Sequence, residues 1–300
     1  MVPPSAPRAF RASRDRETHG PTPFDAVVFA GGGCRCFWQL GFWQEARELL
    51  GSAQRFGGVS AGSAMACTVL TDSIDGVLED FIARVQHNER NFYPEALLQG
   101  ERPFPHAQIY RDTILGCLAA GRMNHLMRGP ELRVLVARPP EWATPPLALA
   151  LGLAAHQADR AVRHRVHGVW ARRIGFQPEV VSVRECQDEQ AVADLIFQSS
   201  CTPPALPLCY RDQGPVLDGG VVDAASVDTV LPAERVLVLL TRHDPDGFVP
   251  EIPGRTYLRP SQPVPVSKWD YTSAERVRAT FDLGRRDGAA FAERELHHAA

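Results

Sequence analysis

Lysine is almost missing from this 300-residue chain: Lys268 stands alone, and arginine supplies the rest of the 32 basic side chains. With a formal net charge of −3 there is no basic excess, which argues against general attraction to nucleic acid. Long hydrophobic runs are missing too. The longest, LALALGLAA over 147–155, is about half the ~20 residues a bilayer-spanning helix requires. The first residues, MVPPSAPRAFRASRDRETHGPTP, lack the apolar stretch of a secretory signal, and residues 1–23 read as a disordered leader. Cysteine is present but not in ligand order. Its seven copies are odd in number, scatter from Cys34 to Cys209, and show no zinc-ribbon or thioredoxin spacing. Cys34 and Cys36 form a C-x-C with no second pair to complete a metal site, so they read as packing residues in a reduced, cytoplasmic protein without metal. Neither an internal repeat nor a linker interrupts the chain, and 24–300 reads as one domain.

What is there is alternation. Short β-branched runs at FDAVVFA (24–30), QRFGGVS (54–60), ELRVLVAR (131–138), PEVVSVREC (178–186), PVLDGG (215–220) and ERVLVLLTR (234–242) predict strands. Helical periodicity fills most gaps: CFWQLGFWQEARELL, SIDGVLEDFIARVQ, HAQIYRDTILGCLAAG, LALALGLAAHQADRAVRH, DEQAVADLIFQSS and a charged closing helix at TSAERVRATFDLGRRDGAAFAERE. This order is that of βαβ units around a largely parallel sheet.

Three glycine-rich sites sit at strand ends. Gly58-Val59-Ser60-Ala61-Gly62 matches G-x-S-x-G between a strand and a helix, where a strained turn pushes a serine oxygen out of the sheet. Ser60 reads either as a nucleophile or as a helix N-cap. Gly31-Gly32-Gly33-Cys34-Arg35 follows the first strand, and such a run can offer backbone N–H groups to an anion. A dinucleotide fingerprint would need glycine at 36, where the chain has Cys36. Asp218-Gly219-Gly220 puts a carboxylate where the backbone can be approached closely, or else forms a hairpin turn.

Taken in this order, VVFAGGGCRC, GVSAG and DGG resemble the patatin-like phospholipase family, and the likeness extends to SSCTPPALPL and to the late KWDYTSAERVRATFDLGRRDG stretch. The resemblance implies a three-layer α/β/α domain with a mainly parallel sheet. It also implies a lipid acyl hydrolase with Ser60 as nucleophile, Asp218 as base, Gly32, Gly33, Cys34 and Arg35 on the oxyanion loop, and no cofactor. Two departures stand out. The family's G-G-G-x-R-G ends here in Cys36, which a positive φ would strain by roughly 1–2 kcal/mol. The family's D-N-x-P after D-G-G is replaced by Asp223-Ala224-Ala225-Ser226, which predicts a looser loop behind Asp218.

An aspartate is a weak base at its ordinary pKa of about 3.9, so such a site must be partly dry to work. A lipid or small ester is the expected substrate, with transient contact to a membrane surface. Phe37, Trp38, Phe42 and the 147–155 helix are candidates to line an apolar channel, unless they belong to the core. Arg35 would hold the glycine loop or meet a lipid phosphate. Three rivals remain at this stage. An α/β-hydrolase triad would run Ser60, Asp218, His243; a binding protein on the same fold would be crippled by Cys36; a nucleotide-binding module would use the glycines alone.

Overall fold

The computed structural model describes residues 24–161, 166–212, 214–244 and 251–299; the expected leader over 1–23 and the last part of the 147–164 helix lie outside them. Among the described residues the strands are β1 (Ala26–Phe29), β2 (Arg55–Val59), β3 (Glu131–Arg138), β4 (Gln177–Ser182), β5 (Cys209–Arg211), β6 (Gly214–Asp218), β7 (Val236–Leu239) and β8 (Arg255–Leu258). The helices are α1 (Phe37–Leu50), α2 (Ala61–Leu70), α3 (Ile74–Gln86), α4 (His106–Leu118), α5 (Arg122–Arg128), α6 (Pro145–Ala161), α7 (Trp170–Arg173), α8 (Glu189–Ser199), α9 (Gly220–Asp223) and α10 (Ala274–Ala299).

All four residues of β1 are buried, as an apolar strand covered on both faces must be, and β1 takes the middle of the sheet. Its side chains alternate between two layers. Val27 and Phe29 enter a core built with α1, α2, α3, α4, α8 and α10, whereas Ala26 and Val28 pack against Val227, Val230 and Ala225 on the opposite face. A further cluster joins Ala137 and Leu217 of the sheet to Ala148 and Ala155 of α6 and to Phe176. The fold is thus a three-layer α/β/α domain. Its strand order is β5-β6-β3-β2-β1-β7-β8, with β4 paired to β3. The pairings β1 with β2, β1 with β7, β2 with β3 and β7 with β8 are parallel; β4 and β6 on β3, and β5 on β6, are antiparallel.

One detail of register sets the site. β2 runs along β3 until Val59 faces Leu135, and there it turns away. β4 holds one edge of β3 from Arg133 to Arg138, so β6, which places Asp218 opposite Val136, takes the edge that β2 has just left. Residue 60 and residue 218 are therefore neighbours across a gap in the sheet, although 158 positions separate them in sequence. Among the described residues, no helix is long and apolar enough to cross a membrane.

Candidate active site

Ser60 bridges β2 and α2 with φ 55° and ψ −136°, a conformation that costs a non-glycine residue roughly 1–3 kcal/mol. The flanking glycines permit so sharp a turn. A Cβ on Gly58 would stand 2.5 Å from Ser63 Cα, and one on Gly62 would stand 2.2 Å from the carbonyl oxygen of Phe29. Ser60 does occupy the N-cap position of α2, but its side chain makes no cap hydrogen bond. Its Oγ instead donates to Asp218 Oδ2 at 2.9 Å. The Ser60 amide donates to Ser199 Oγ at 2.8 Å, and that hydroxyl donates in turn to the carbonyl of Leu135 at 2.6 Å. Ser199, at the end of α8, thereby pins the turn to the strand beside it.

Asp218 ends β6 with only 3% of its surface exposed, and Ser60 has 5%. Its Oδ1 accepts the Gly220 amide at 2.7 Å, leaving Oδ2 directed at Ser60. The same α8 terminus fixes its backbone, since the Asp218 amide donates to Cys201 O at 2.8 Å and the Gly219 amide to Ser199 O at 3.0 Å. Gly219 lies so close to β3 that a Cβ there would come within 2.3 Å of Leu135 O. Asp218-Gly219-Gly220 is therefore a strand-to-helix turn leading into α9 and not a hairpin.

The glycine loop between β1 and α1 is tied on several sides. Gly31 donates its amide to Ala224 O at 2.8 Å and accepts at its own carbonyl from Thr241 Oγ1 at 2.8 Å. Arg35 Nε donates to Gly32 O at 3.2 Å, and Gln39 Nε2 donates to the carbonyls of Ala30 and Leu239 at 2.9 and 2.8 Å. The Gly32 and Gly33 amides have no hydrogen bond to a described residue, whereas the Cys34 amide donates to Lys268 O at 3.1 Å. Of the four residues assigned to an oxyanion loop, Gly32 and Arg35 line the cavity beside Ser60, while Gly33 and Cys34 turn behind it. Cys34 thus has no amide to offer an oxyanion.

Two sequence expectations fail here. Cys36 has φ −66° and ψ −15°, an ordinary helical conformation, so the substitution carries no strain. Its buried thiol donates to Ala30 O at 3.5 Å, and burial pushes its pKa up to about 12, keeping it protonated. Nor is the loop behind Asp218 left untied. Asp223 Oδ1 accepts the Ala225 amide at 3.0 Å, Asp223 Oδ2 lies 2.9 Å from His167 Nδ1, and His167 Nε2 lies 2.7 Å from the Tyr257 hydroxyl.

The cavity at Ser60 measures about 580 Å³, within the range of small-molecule sites. Leu149, Gly152 and Leu153 of α6 line it, but Phe37, Trp38 and Phe42 do not. Those three aromatics are core residues, and Trp38 Nε1 donates to Asp287 Oδ2 at 2.7 Å beneath α10. His243 is also absent from the pair: its Nδ1 lies 3.0 Å from Pro260 O, and the carboxylate it would need to orient it is bonded directly to Ser60. A Ser60-Asp218-His243 triad is not assembled. Lys268, which sequence reasoning did not place in the site, lines the cavity. Burial, with a contribution from Arg35 and Arg242 and against the opposing pull of Asp218, holds its pKa below the usual lysine range.

A strained serine, a buried aspartate on its hydroxyl and a tied glycine loop thus meet at the ends of β2, β6 and β1 on an α/β/α frame. The chain belongs to the patatin-like phospholipase family, whose profile matches residues 27–231 and so spans all three motifs. No curated protein matches the sequence. Among solved structures the chain is similar to VipD from Legionella pneumophila, at 11% identity and a TM-score of 0.42, over 91% of this chain and 67% of that one.

Proposed function

We propose that this chain is a lipid acyl hydrolase that cleaves carboxylic esters through an acyl-enzyme, with Ser60 as nucleophile and Asp218 as its base. The observation that carries the reading is the 2.9 Å bond from Ser60 Oγ to Asp218 Oδ2, with no imidazole between them. A serine hydroxyl is too weak an acid to attack alone, so a base must take its proton as the bond to the ester carbonyl forms. Asp218 accepts that proton and passes it to the leaving alcohol as the C–O bond breaks. Water then attacks the acyl-enzyme, giving a proton to Asp218, and the Ser60 oxygen leaves and regains it.

The oxyanion of each tetrahedral intermediate would be met by the glycine loop, where Gly32 lines the cavity and its amide has no hydrogen bond to a described residue. Loss of one such donor typically costs ~2.7–4 kcal/mol. The ties on that loop hold it in place before substrate arrives. All seven cysteines stand as free thiols, which suits a reducing, cytoplasmic compartment. The apolar wall from α6 suits an acyl chain, and the substrate would be drawn from a membrane surface.

Hydrolysis of a soluble short-chain ester by purified variants tests the assignment. Ser60→Ala and Asp218→Asn are each expected to reduce kcat/KM by at least about 10³-fold, as when members of a catalytic unit are removed. His243→Ala is expected to stay within about threefold of wild type. A collapse of activity in His243→Ala with activity retained in Asp218→Asn would overturn the reading.

A further inference from the structure

Two pairs of cysteines stand close in this fold, and they differ in what can reach them. Cys67 Sγ and Cys117 Sγ lie 3.5 Å apart inside the core, where both residues are buried and out of reach of an oxidant in solvent. Cys201 and Cys209 stand instead beside the candidate active site. Cys201 is buried and lines the Ser60 cavity, whereas Cys209, at the start of β5, is partly exposed. The segment between them, TPPALPL, turns back so that both thiols meet one carbonyl: Cys201 Sγ donates to Pro207 O at 3.2 Å and Cys209 Sγ donates to it at 3.5 Å. The Cys209 amide donates to Cys201 Sγ at 3.2 Å. Pro203, Pro204 and Pro207 fix φ within this turn, so little freedom is left to lose when its ends are joined.

Both ends of the turn are fastened to the strand that carries Asp218. Cys201 O accepts the Asp218 amide at 2.8 Å, and Cys209 pairs with Val216 of β6. Thr202, Pro203 and Pro204, between the cysteines, line the cavity. Cys209 is also the more readily ionised of the two thiols. A hydrogen bond from the Cys201 thiol holds its pKa below the usual thiol range, against desolvation and the charge of Asp194, with help from Arg102 and Arg111. The same bond, with burial, pushes Cys201 up. A thiolate that solvent can reach is the group that oxidants attack.

We propose that Cys201 and Cys209 are a redox pair, joined by hydrogen peroxide into a reversible disulfide that lowers activity at the Ser60 cavity. The regulatory half rests on the hydrolase reading; the disulfide itself does not. The Cys209 thiolate attacks one peroxide oxygen, the O–O bond breaks, and the departing hydroxide takes up the proton that Cys209 released, giving water. Cys201 sulfur then attacks the sulfenic sulfur, the S–O bond breaks, and hydroxide leaves with the Cys201 proton as a second water. Two thiols are thereby oxidised to one disulfide while the peroxide is reduced to water. A disulfide draws its sulfurs to about 2.05 Å, so both thiol bonds to Pro207 O are lost and the turn has to tighten against β6. The carbonyl that anchors Asp218 shifts with it, and a displacement of about 1 Å at a catalytic group can cost about 10²-fold in rate.

The test treats purified wild type with a small excess of hydrogen peroxide, maps the thiols by alkylation and mass spectrometry, and follows hydrolysis of a soluble short-chain ester. Cys201 and Cys209 are expected in a disulfide that dithiothreitol reverses, with Cys67 and Cys117 still free. The oxidised protein is expected to lose about 10-fold or more in kcat/KM and to regain it on reduction. Cys209→Ser is expected to match reduced wild type and not to respond to peroxide.

Free thiols at 201 and 209 after peroxide overturn the proposal, whatever the variant does. A disulfide that leaves kcat/KM unchanged, or a loss that Cys209→Ser shares, overturns the regulatory half. If the disulfide forms while reduced wild type hydrolyses no ester, the hydrolase reading fails and the redox pair stands.

Discussion

At Ser60 the backbone is strained so that one oxygen can meet one carboxylate, and the strain is held by bonds that cost little to name and much to lose. Ser199 is the clearest of them, because its hydroxyl both accepts the Ser60 amide and donates to Leu135 O. Ser199→Ala leaves two buried backbone groups without that partner, a loss of about 1–3 kcal/mol. We expect a lower melting temperature and a kcat reduced by about 10²-fold through misplacement of Ser60, read by thermal denaturation and ester hydrolysis. Unaltered kcat would remove Ser199 from the positioning of the nucleophile. Cys36 gives the opposite case. Since its backbone is helical and its side chain buried, Cys36→Gly is expected to cost about 1–2 kcal/mol of stability and to leave kcat no higher. A gain in kcat would show that the cysteine does distort the loop. The turns that carry Ser60 and Asp218 were legible in sequence because their glycines flag them. Ser199 and Lys268 were not, since a serine in a helix and a lysine in a loop have no signature until the chain brings them to the site.

Helices and strands carry the next level of the account. α1 and α10 approach closely enough for glycine to be required in both: a Cβ on Gly41 would stand 2.0 Å from Phe281 O, and one on Gly284 would stand 2.1 Å from Trp38 O. Gly284→Val therefore has to part the two helices, and we expect a loss of about 3 kcal/mol, measured by urea unfolding. A variant as stable as wild type would mean that the crossing is looser than described. Period-2 and period-3.6 patterns revealed the long elements well. The motif read at 131–138 is the observed β3, and the helix read from Cys36 is α1. The weaker pieces escaped. β5 is three residues long, β8 (RTYL) has no buried residue, α5 and α7 are only seven and four residues, and none has room to show a period. Antiparallel pairing of β6 beside the end of β2 was also beyond a local reading, because nothing within PVLD names the edge of β3 on which it docks.

Over the whole molecule, the cavity opens where β1, β2 and β7 end, as ligand sites in open α/β sheets do. α6 roofs it with an apolar lining, and Leu147 and Leu153 on that helix, with Trp142 before it, are exposed. On the proposed lipid acyl hydrolase, an exposed apolar face on a helix that lines the cavity suits docking on a bilayer. Leu147→Asp is accordingly expected to reduce hydrolysis of phospholipid vesicles about 10-fold while a soluble ester is turned over as before; equal loss on both would exclude an interfacial role. The central claim remains the paired Ser60 and Asp218, and covalent labelling by an alkyl fluorophosphonate, with the modified peptide located by mass spectrometry, tests it most directly. The account predicts a label on Ser60 of the wild type, none in Ser60→Ala, and a labelling rate sharply reduced in Asp218→Asn. A folded wild type that takes no label, or takes it at another serine, would contradict it.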